Sequence, residues 1–133
     1  MFSVTKTPSQ KWKEDIESYR RKCQRILQVS QSIRYVGLIN EYGRTLTGII
    51  RPDTTILLKS SPARNEFFLM STLLSMRRQN SSAIGEMEYG IFKHRKLTLI
   101  IFQRNEGTYY ISVGKNTSLN SILKIMGIIK KII

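Results

Sequence analysis

The hydrophobic pattern of this chain switches repeatedly between the period of a helix and that of a strand, and the resulting order of elements limits the possible folds. The connections between the predicted elements are short, without repeats or a low-complexity linker. We therefore expect one α+β domain over residues 8–133, preceded by a disordered N-terminus over residues 1–7. In chain order the predicted elements are a helix (8–30), two strands (33–39 and 45–50), a helix (61–80), three strands (86–92, 97–102 and 108–113) and a helix from about residue 119.

The first helix has the clearest start signal in the chain. Thr7 is predicted as its N-cap, Pro8 suits the first helical position, and Gln10 completes a capping box. Apolar residues then recur every three or four positions, which predicts one buried stripe. The members of this stripe are Trp12, Ile16, Tyr19, Cys23, Ile26 and Leu27. A cysteine on such a stripe is interpreted as a buried, inert thiol.

Turn residues and changes of period define the other elements. Gly43 suits the left-handed position of a hairpin loop, and Ser61-Pro62 predicts a helix start by the same cap-then-proline pattern. From Glu86 the apolar period changes to two, so the next three strands are expected to form a meander. The C-terminal helix has a predicted buried row of Leu119, Ile122, Leu123, Met126, Ile129 and Ile133.

The sequence lacks the residue combinations that catalysis and metal binding require. His94 is the only histidine and Cys23 the only cysteine, so neither a nucleophile with a base nor a metal-ligand spacing is evident. Segments 43–48 and 85–90 have the outer glycines of a phosphate-binding loop, but no Lys with Ser or Thr follows. We therefore expect no enzymatic activity, no metal and no cofactor.

The ends and the apolar runs of the chain predict its compartment. The first six residues lack the long apolar core of a signal peptide, and the longest apolar stretches are far shorter than a bilayer span. A single cysteine also excludes an internal disulfide. We expect a soluble, cytoplasmic protein without a membrane span.

The net charge is +13, from 22 Lys and Arg against nine acidic residues. This excess favours an anionic partner, such as nucleic acid, an anionic membrane or an acidic protein surface. It is spread along the whole sequence instead of forming an arm or a tail. The basic residues predicted to contact such a partner are Arg20, Arg21, Arg25, Lys93, Arg95 and Lys96, and Tyr109 and Tyr110 would stack on the bases of a single strand.

The order of elements resembles the roadblock/LC7 family. The similarity rests on segment 33–50, a strand–loop–Gly–strand hairpin after an amphipathic helix, and on the helix that follows the meander. It implies a five-stranded antiparallel sheet with helices packed on it, and a non-enzymatic homodimer that serves small GTPases or motor and signalling complexes. Profilin-like, longin and PAS-like domains share much of this layout. The strings 34–37, 42–44 and 64–67 are also similar to small uncharacterised archaeal proteins.

The leading hypothesis is a homodimeric protein-interaction module, a scaffold or regulator with an unidentified protein partner. Carried onto this chain, the resemblance implies a dimer surface formed by residues 61–78 and 86–92. The side chains predicted to form this surface are Phe67, Met70, Leu74, Met87, Tyr89 and Ile91. Two alternatives stay open: a basic nucleic-acid-binding protein, and a PAS-like ligand sensor. The sensor would need an interior cavity, against which the bulky Phe67, Phe68, Phe92 and Phe102 argue.

Overall fold

The computed structural model describes residues 5–133, so most of the predicted disordered N-terminus lies outside the described residues. The predicted order of elements is confirmed, with one additional single-turn helix before the meander. The elements are α1 (Pro8–Leu27), β1 (Ile33–Ile39), β2 (Thr45–Ile50), α2 (Ser60–Arg78), α3 (Ser81–Ile84), β3 (Tyr89–Lys93), β4 (Leu97–Arg104), β5 (Gly107–Gly114) and α4 (Leu119–Ile132).

The five strands form one antiparallel sheet in the order β2-β1-β5-β4-β3. The hairpin β1–β2 and the meander β3–β4–β5 are local units, and β1 joins them by pairing with β5. Strands β2 and β3 therefore form the two edges. This is the α+β, five-stranded architecture that the family resemblance implies.

One face of the sheet is covered by α1 and α4. Cys23 and Ile26 of α1 and Ile122 and Ile129 of α4 pack on Phe102 and its neighbours in the central strands. The predicted stripe of α1 is confirmed in its second half, whereas Trp12 is exposed. The predicted buried row of α4 is wrong at Leu119 and Leu123, because these side chains lie on the flank of the helix and are exposed to solvent.

The other face of the sheet is covered by α2. Met70 and Leu74 pack on Leu99, Ile101 and Tyr110 of the central strands. The ring of Phe67 lies between two tyrosines: it stacks on Tyr35 at a centroid distance of 6.2 Å and meets Tyr110 edge-on at 4.9 Å. The Tyr35 ring covers Gly37 and Gly48, which face each other on β1 and β2. Two side-chain-free positions therefore let this ring lie flat beneath α2.

The caps of the helices confirm one predicted start and correct another. The capping box of Thr7 and Gln10 is present, with the backbone N–H of Gln10 donating to Thr7 Oγ1 at 3.1 Å. The predicted cap at Ser61 is wrong, because α2 begins at Ser60 and its N-cap residue, Lys59, makes no side-chain cap bond. Ser118 caps α4 by accepting from the N–H of Ser121.

Candidate protein-interaction surface

The outward side of α2 is apolar in its second half, from Phe68 to Met76. Buried residues occupy the side toward the sheet, and a second set of apolar residues occupies the opposite side, three and four positions apart. We call this second set the α2 face. It comprises Phe68, Leu69, Leu73 and Met76, whose exposed fractions are 58%, 63%, 40% and 61%. Solvated helix sides normally carry polar residues, so an apolar stripe on an exposed side is typical of protein-interaction surfaces.

The α2 residues that were predicted to form the dimer surface lie on the side of the helix that faces the sheet. Met70 and Leu74 are only 5% and 2% exposed and are fully engaged with the sheet. Phe67 is half-buried between Tyr35 and Tyr110. A second molecule could not reach Met70 or Leu74 without unpacking α2. Periodicity could not reveal this, because both sides of the helix are apolar and either one could face the sheet.

The dimer-surface residues predicted in and beside β3 are divided between the two faces of the sheet. Tyr89 and Ile91 lie on the α4 side, where Lys130 Nζ sits 5.0 Å from the centre of the Tyr89 ring. Met87 packs on the α2 side. The prediction that Met87 continues the alternation is wrong because the strand begins at Tyr89, after an irregular segment that follows Gly85 at a φ of +86°. At the edge of the sheet, one side of the β3 backbone has no neighbouring strand among residues 5–133.

The hairpin turn between β1 and β2 also contacts α2, along one flank of the helix. Asn40 organises this turn: its side-chain oxygen accepts hydrogen bonds from the backbone N–H groups of Tyr42 and Arg44. Ser71 of α2 donates its hydroxyl to the carbonyl oxygen of Asn40 at 3.1 Å. Gly43 lies directly against the backbone of α2 at Phe68. The helix that carries the α2 face is therefore in contact with the sheet on its opposite side and with the β1–β2 turn on one flank.

The predicted basic residues occupy two separate regions. Arg20, Arg21 and Arg25 are exposed on α1, and Lys93, Arg95 and Lys96 are exposed around the β3–β4 turn. Their neighbour Lys22 is engaged within the chain, because it donates to Glu106 in the β4–β5 turn at 2.9 Å.

The aromatic residues suggested for base stacking are inaccessible to a nucleic acid. Tyr109 and Tyr110 lie within the central strand β5 and are almost completely buried, on opposite faces of the sheet. Burial raises the pKa of both phenols above the usual value, with additional negative charge from Glu106 near Tyr109 and from Glu66 near Tyr110. The prediction that these rings could serve as stacking platforms is therefore wrong.

The groups considered for chemistry stand apart from one another. Cys23 is fully buried, as predicted, and burial raises the pKa of its thiol to about 11 despite the nearby charge of Arg20. His94 is exposed in the β3–β4 turn. Within residues 5–133, no cluster of three or more His, Cys, Asp or Glu side chains is placed to hold a metal ion.

One open groove of about 580 Å³ runs between the end of α2 and the β4–β5 turn. Its lining mixes Arg77, Arg78 and Arg104 with Glu41, Glu86 and Glu106, so it favours neither sign of ligand charge. Across the described part of the chain, no helix is long and apolar enough to cross a membrane.

The comparisons with known proteins identify the fold. No protein-family model matches the sequence, and no curated protein matches it. Solved structures do match. The gliding protein MglB from Thermus thermophilus is 13% identical with a TM-score of 0.68, and the alignment covers 88% of this chain and 86% of that protein. A structure of MglB with a tetrameric arrangement is 13% identical with a TM-score of 0.67, covering 86% of this chain and 83% of that chain.

A third structure carries the family name itself. The roadblock/LC7 domain from Streptomyces avermitilis is 13% identical with a TM-score of 0.60, and the alignment covers 84% of this chain and 90% of that domain. All three alignments therefore extend over most of both chains, and the similarity is one of whole folds. The chain has a roadblock/LC7-like fold.

Proposed function

We propose that this protein is a non-enzymatic protein-interaction module that forms a homodimer through the α2 face and the edge strand β3. The observation that carries the proposal is the α2 face itself: four large apolar side chains, mostly exposed, on a helix whose opposite side packs on the sheet. Each such side chain gains about 1.5–3 kcal/mol when it is fully buried. A partner that covers all four would therefore gain several kcal/mol from this helix alone.

A second copy of the same chain is the simplest partner for this surface. Two-fold symmetry places the same patch on both subunits, so α2 would pack on α2 and β3 would lie beside β3. Antiparallel pairing of two β3 strands would satisfy the backbone groups that the edge leaves unpaired and would extend the sheet from one subunit into the next. The tetrameric arrangement of one MglB structure supports the proposal, because a protein with this fold there assembles with copies of itself.

A dimer of this kind leaves a large part of its surface for further proteins. The family resemblance implies that the partner is a small GTPase or a component of a signalling complex, and we propose a role as a scaffold or regulator of such a partner. The dispersed arrangement of Cys23, His94 and the carboxylates supports a module that acts by binding.

The proposed dimer is tested by measuring the molar mass with light scattering during gel filtration, at high salt. We expect twice the monomer mass for the natural chain and the monomer mass for a Leu69→Glu, Leu73→Glu variant. Ile128→Glu is the matched control, because Ile128 is similarly exposed but lies on α4, across the sheet. A monomer at tens of micromolar, or equal loss of the dimer in both variants, would contradict the proposal.

A further inference from the structure

The fold concentrates at one end of the sheet a charge that is dispersed in the sequence. Ile33, Val113, Thr98 and Lys93 follow one another across the ladder from β1 to β3, which places the ends of these strands side by side. The connections at this end, together with the ends of the elements that flank them, are 28–34, 50–59, 93–97 and 114–119, and we call them the basic end. They contain seven basic residues and one acidic residue, Asp53. The seven are Arg34, Arg51, Lys59, Lys93, Arg95, Lys96 and Lys115.

The opposite end of the sheet carries charges of both signs. Its connections, 39–45, 79–88 and 104–107, contain two basic and four acidic residues. The first part of α1 adds three acids interspersed with lysines, and the last turns of α2 and α4 add four cations. These residues are Lys11, Lys13, Glu14, Asp15, Glu17, Arg77, Arg78, Lys130 and Lys131. Acids are therefore nearly absent from the basic end but interspersed with cations at the opposite end, so an anionic surface would orient the protein with the basic end forward.

Exposed aliphatic side chains lie among these cations. Ile56, Leu57 and Leu58 form an apolar run in the β2–α2 connection, and Ile56 is 67% exposed. Arg34 holds this connection against β1 by donating from Nη2 to the carbonyl oxygen of Thr55 at 2.5 Å. Leu119, at the start of α4, is also largely exposed at the same end. Exposure of these apolar side chains to water is unfavourable, and the neighbouring cations do not shield them from it.

A lipid surface accounts for both observations. Lys and Arg side chains attract anionic head groups, and aliphatic side chains that project between them enter the boundary with the acyl chains. A nucleic acid would use the charge but not the aliphatic residues, and the basic end contains no Phe, Tyr or Trp for base stacking. We propose that the basic end binds peripherally to the surface of an anionic membrane, with the 54–58 segment entering the head-group region.

The electrostatic part is tested by sedimentation with phosphatidylcholine vesicles that do or do not contain phosphatidylserine. A triple variant should weaken binding to the acidic vesicles about a hundredfold, because each cation near the surface contributes about fivefold. This variant carries Lys93→Gln, Arg95→Gln and Lys96→Gln. The control is a second triple variant, which loses the same charge at positions away from the basic end and should change binding by no more than about threefold. It carries Lys11→Gln, Lys13→Gln and Arg44→Gln. An equal loss in both variants would overturn the proposal.

The apolar part needs its own pair of variants. Ile56→Ser, Leu57→Ser should weaken vesicle binding about tenfold at unchanged net charge. Ile84→Ser, at an equally exposed position near the opposite end, should leave it unchanged. Unchanged binding of the Ile56 and Leu57 variant would contradict entry into the lipid. Salt-sensitive binding to duplex or single-stranded RNA, without binding to acidic vesicles, would overturn the membrane assignment in favour of nucleic acid.

Discussion

The ammonium group of Lys22 on α1 lies 2.9 Å from the carboxylate of Glu106 in the β4–β5 turn, which joins two elements 84 positions apart in the sequence. Tyr109 donates its hydroxyl to the same carboxylate at 3.1 Å. Burial by itself would raise the pKa of Glu106, but the hydrogen bond and the charge of Lys22, with the Tyr109 hydroxyl, outweigh it. The pKa of Glu106 is therefore lowered.

This ion pair predicts a pH-dependent contribution to stability. A carboxyl group with a lowered pKa in the folded state stabilises the protein above its unfolded pKa, and the contribution is lost as the pH falls through the folded pKa. Glu106→Gln should reduce the free energy of unfolding by about 1 kcal/mol at pH 7, and by progressively less as the pH falls below the unfolded pKa and through the lowered pKa of the folded state. Urea denaturation followed by circular dichroism measures these values.

The exposed pair of Lys6 and Glu14 provides the matched control. Its N–O distance is 2.5 Å, but both side chains are more than half exposed. Glu14→Gln should therefore change the stability by less than about 0.5 kcal/mol at any pH. A Glu106→Gln effect as small as that of the control, or one that does not decrease with falling pH, would show that the Lys22–Glu106 pair is not stabilising.

Arg51 closes the C-terminal end of α1. Its guanidinium donates to the carbonyl oxygens of Leu27 at 2.5 Å, Ser30 at 2.9 Å and Ile33 at 2.7 Å. Arg51→Met should lower the free energy of unfolding by about 2–3 kcal/mol, since several half-buried carbonyls lose a charged donor. Arg51→Lys keeps the charge but not the planar fork, so most of the loss should remain. Full recovery in the lysine variant, measured by urea denaturation, would disprove the geometric role.

Replacing either of two glycines by alanine should change the stability of the fold, but in opposite directions. Gly43 has a φ of +81°, and a β-carbon added there would lie 2.7 Å from the α-carbon of Phe68. Gly43→Ala should therefore destabilise the fold by about 1–3 kcal/mol. Gly127 lies within α4 with open space around it, so Gly127→Ala should stabilise by about 0.5–1 kcal/mol. Thermal denaturation of both variants tests the pair, and a shift of equal sign would refute the argument.

The sequence predicted the type and order of the principal elements because their hydrophobic periods are strong and their turns are short. It failed where a helix has two apolar sides. In α2, local spacing could not show that Met70 and Leu74 face the sheet while Leu69 and Leu73 face solvent. The start of α2 was misplaced because no side chain caps it.

The basic end was invisible in the sequence for a different reason. Arg34, Lys59, Lys93 and Lys115 belong to four separate connections, and only the antiparallel order of the strands brings these connections to one end. Evenly spread charge along a chain is therefore compatible with a local concentration of cations on the folded surface. The burial of Tyr109 and Tyr110 was likewise decided by the central position of β5, which pairing with both β1 and β4 determines.

The pairing of β3 with a second β3 is tested most directly by a distance between two copies. A Lys93→Cys variant would carry a spin label at the exposed end of the edge strand, while the buried thiol of Cys23 should remain unlabelled in the folded protein. Antiparallel pairing of two β3 strands predicts one narrow distance below about 30 Å, given the rise per residue and the spacing of strands. The distance should disappear in the Leu69→Glu, Leu73→Glu background. No distance between copies, or the same distance in that background, would contradict a dimer formed by α2 and β3.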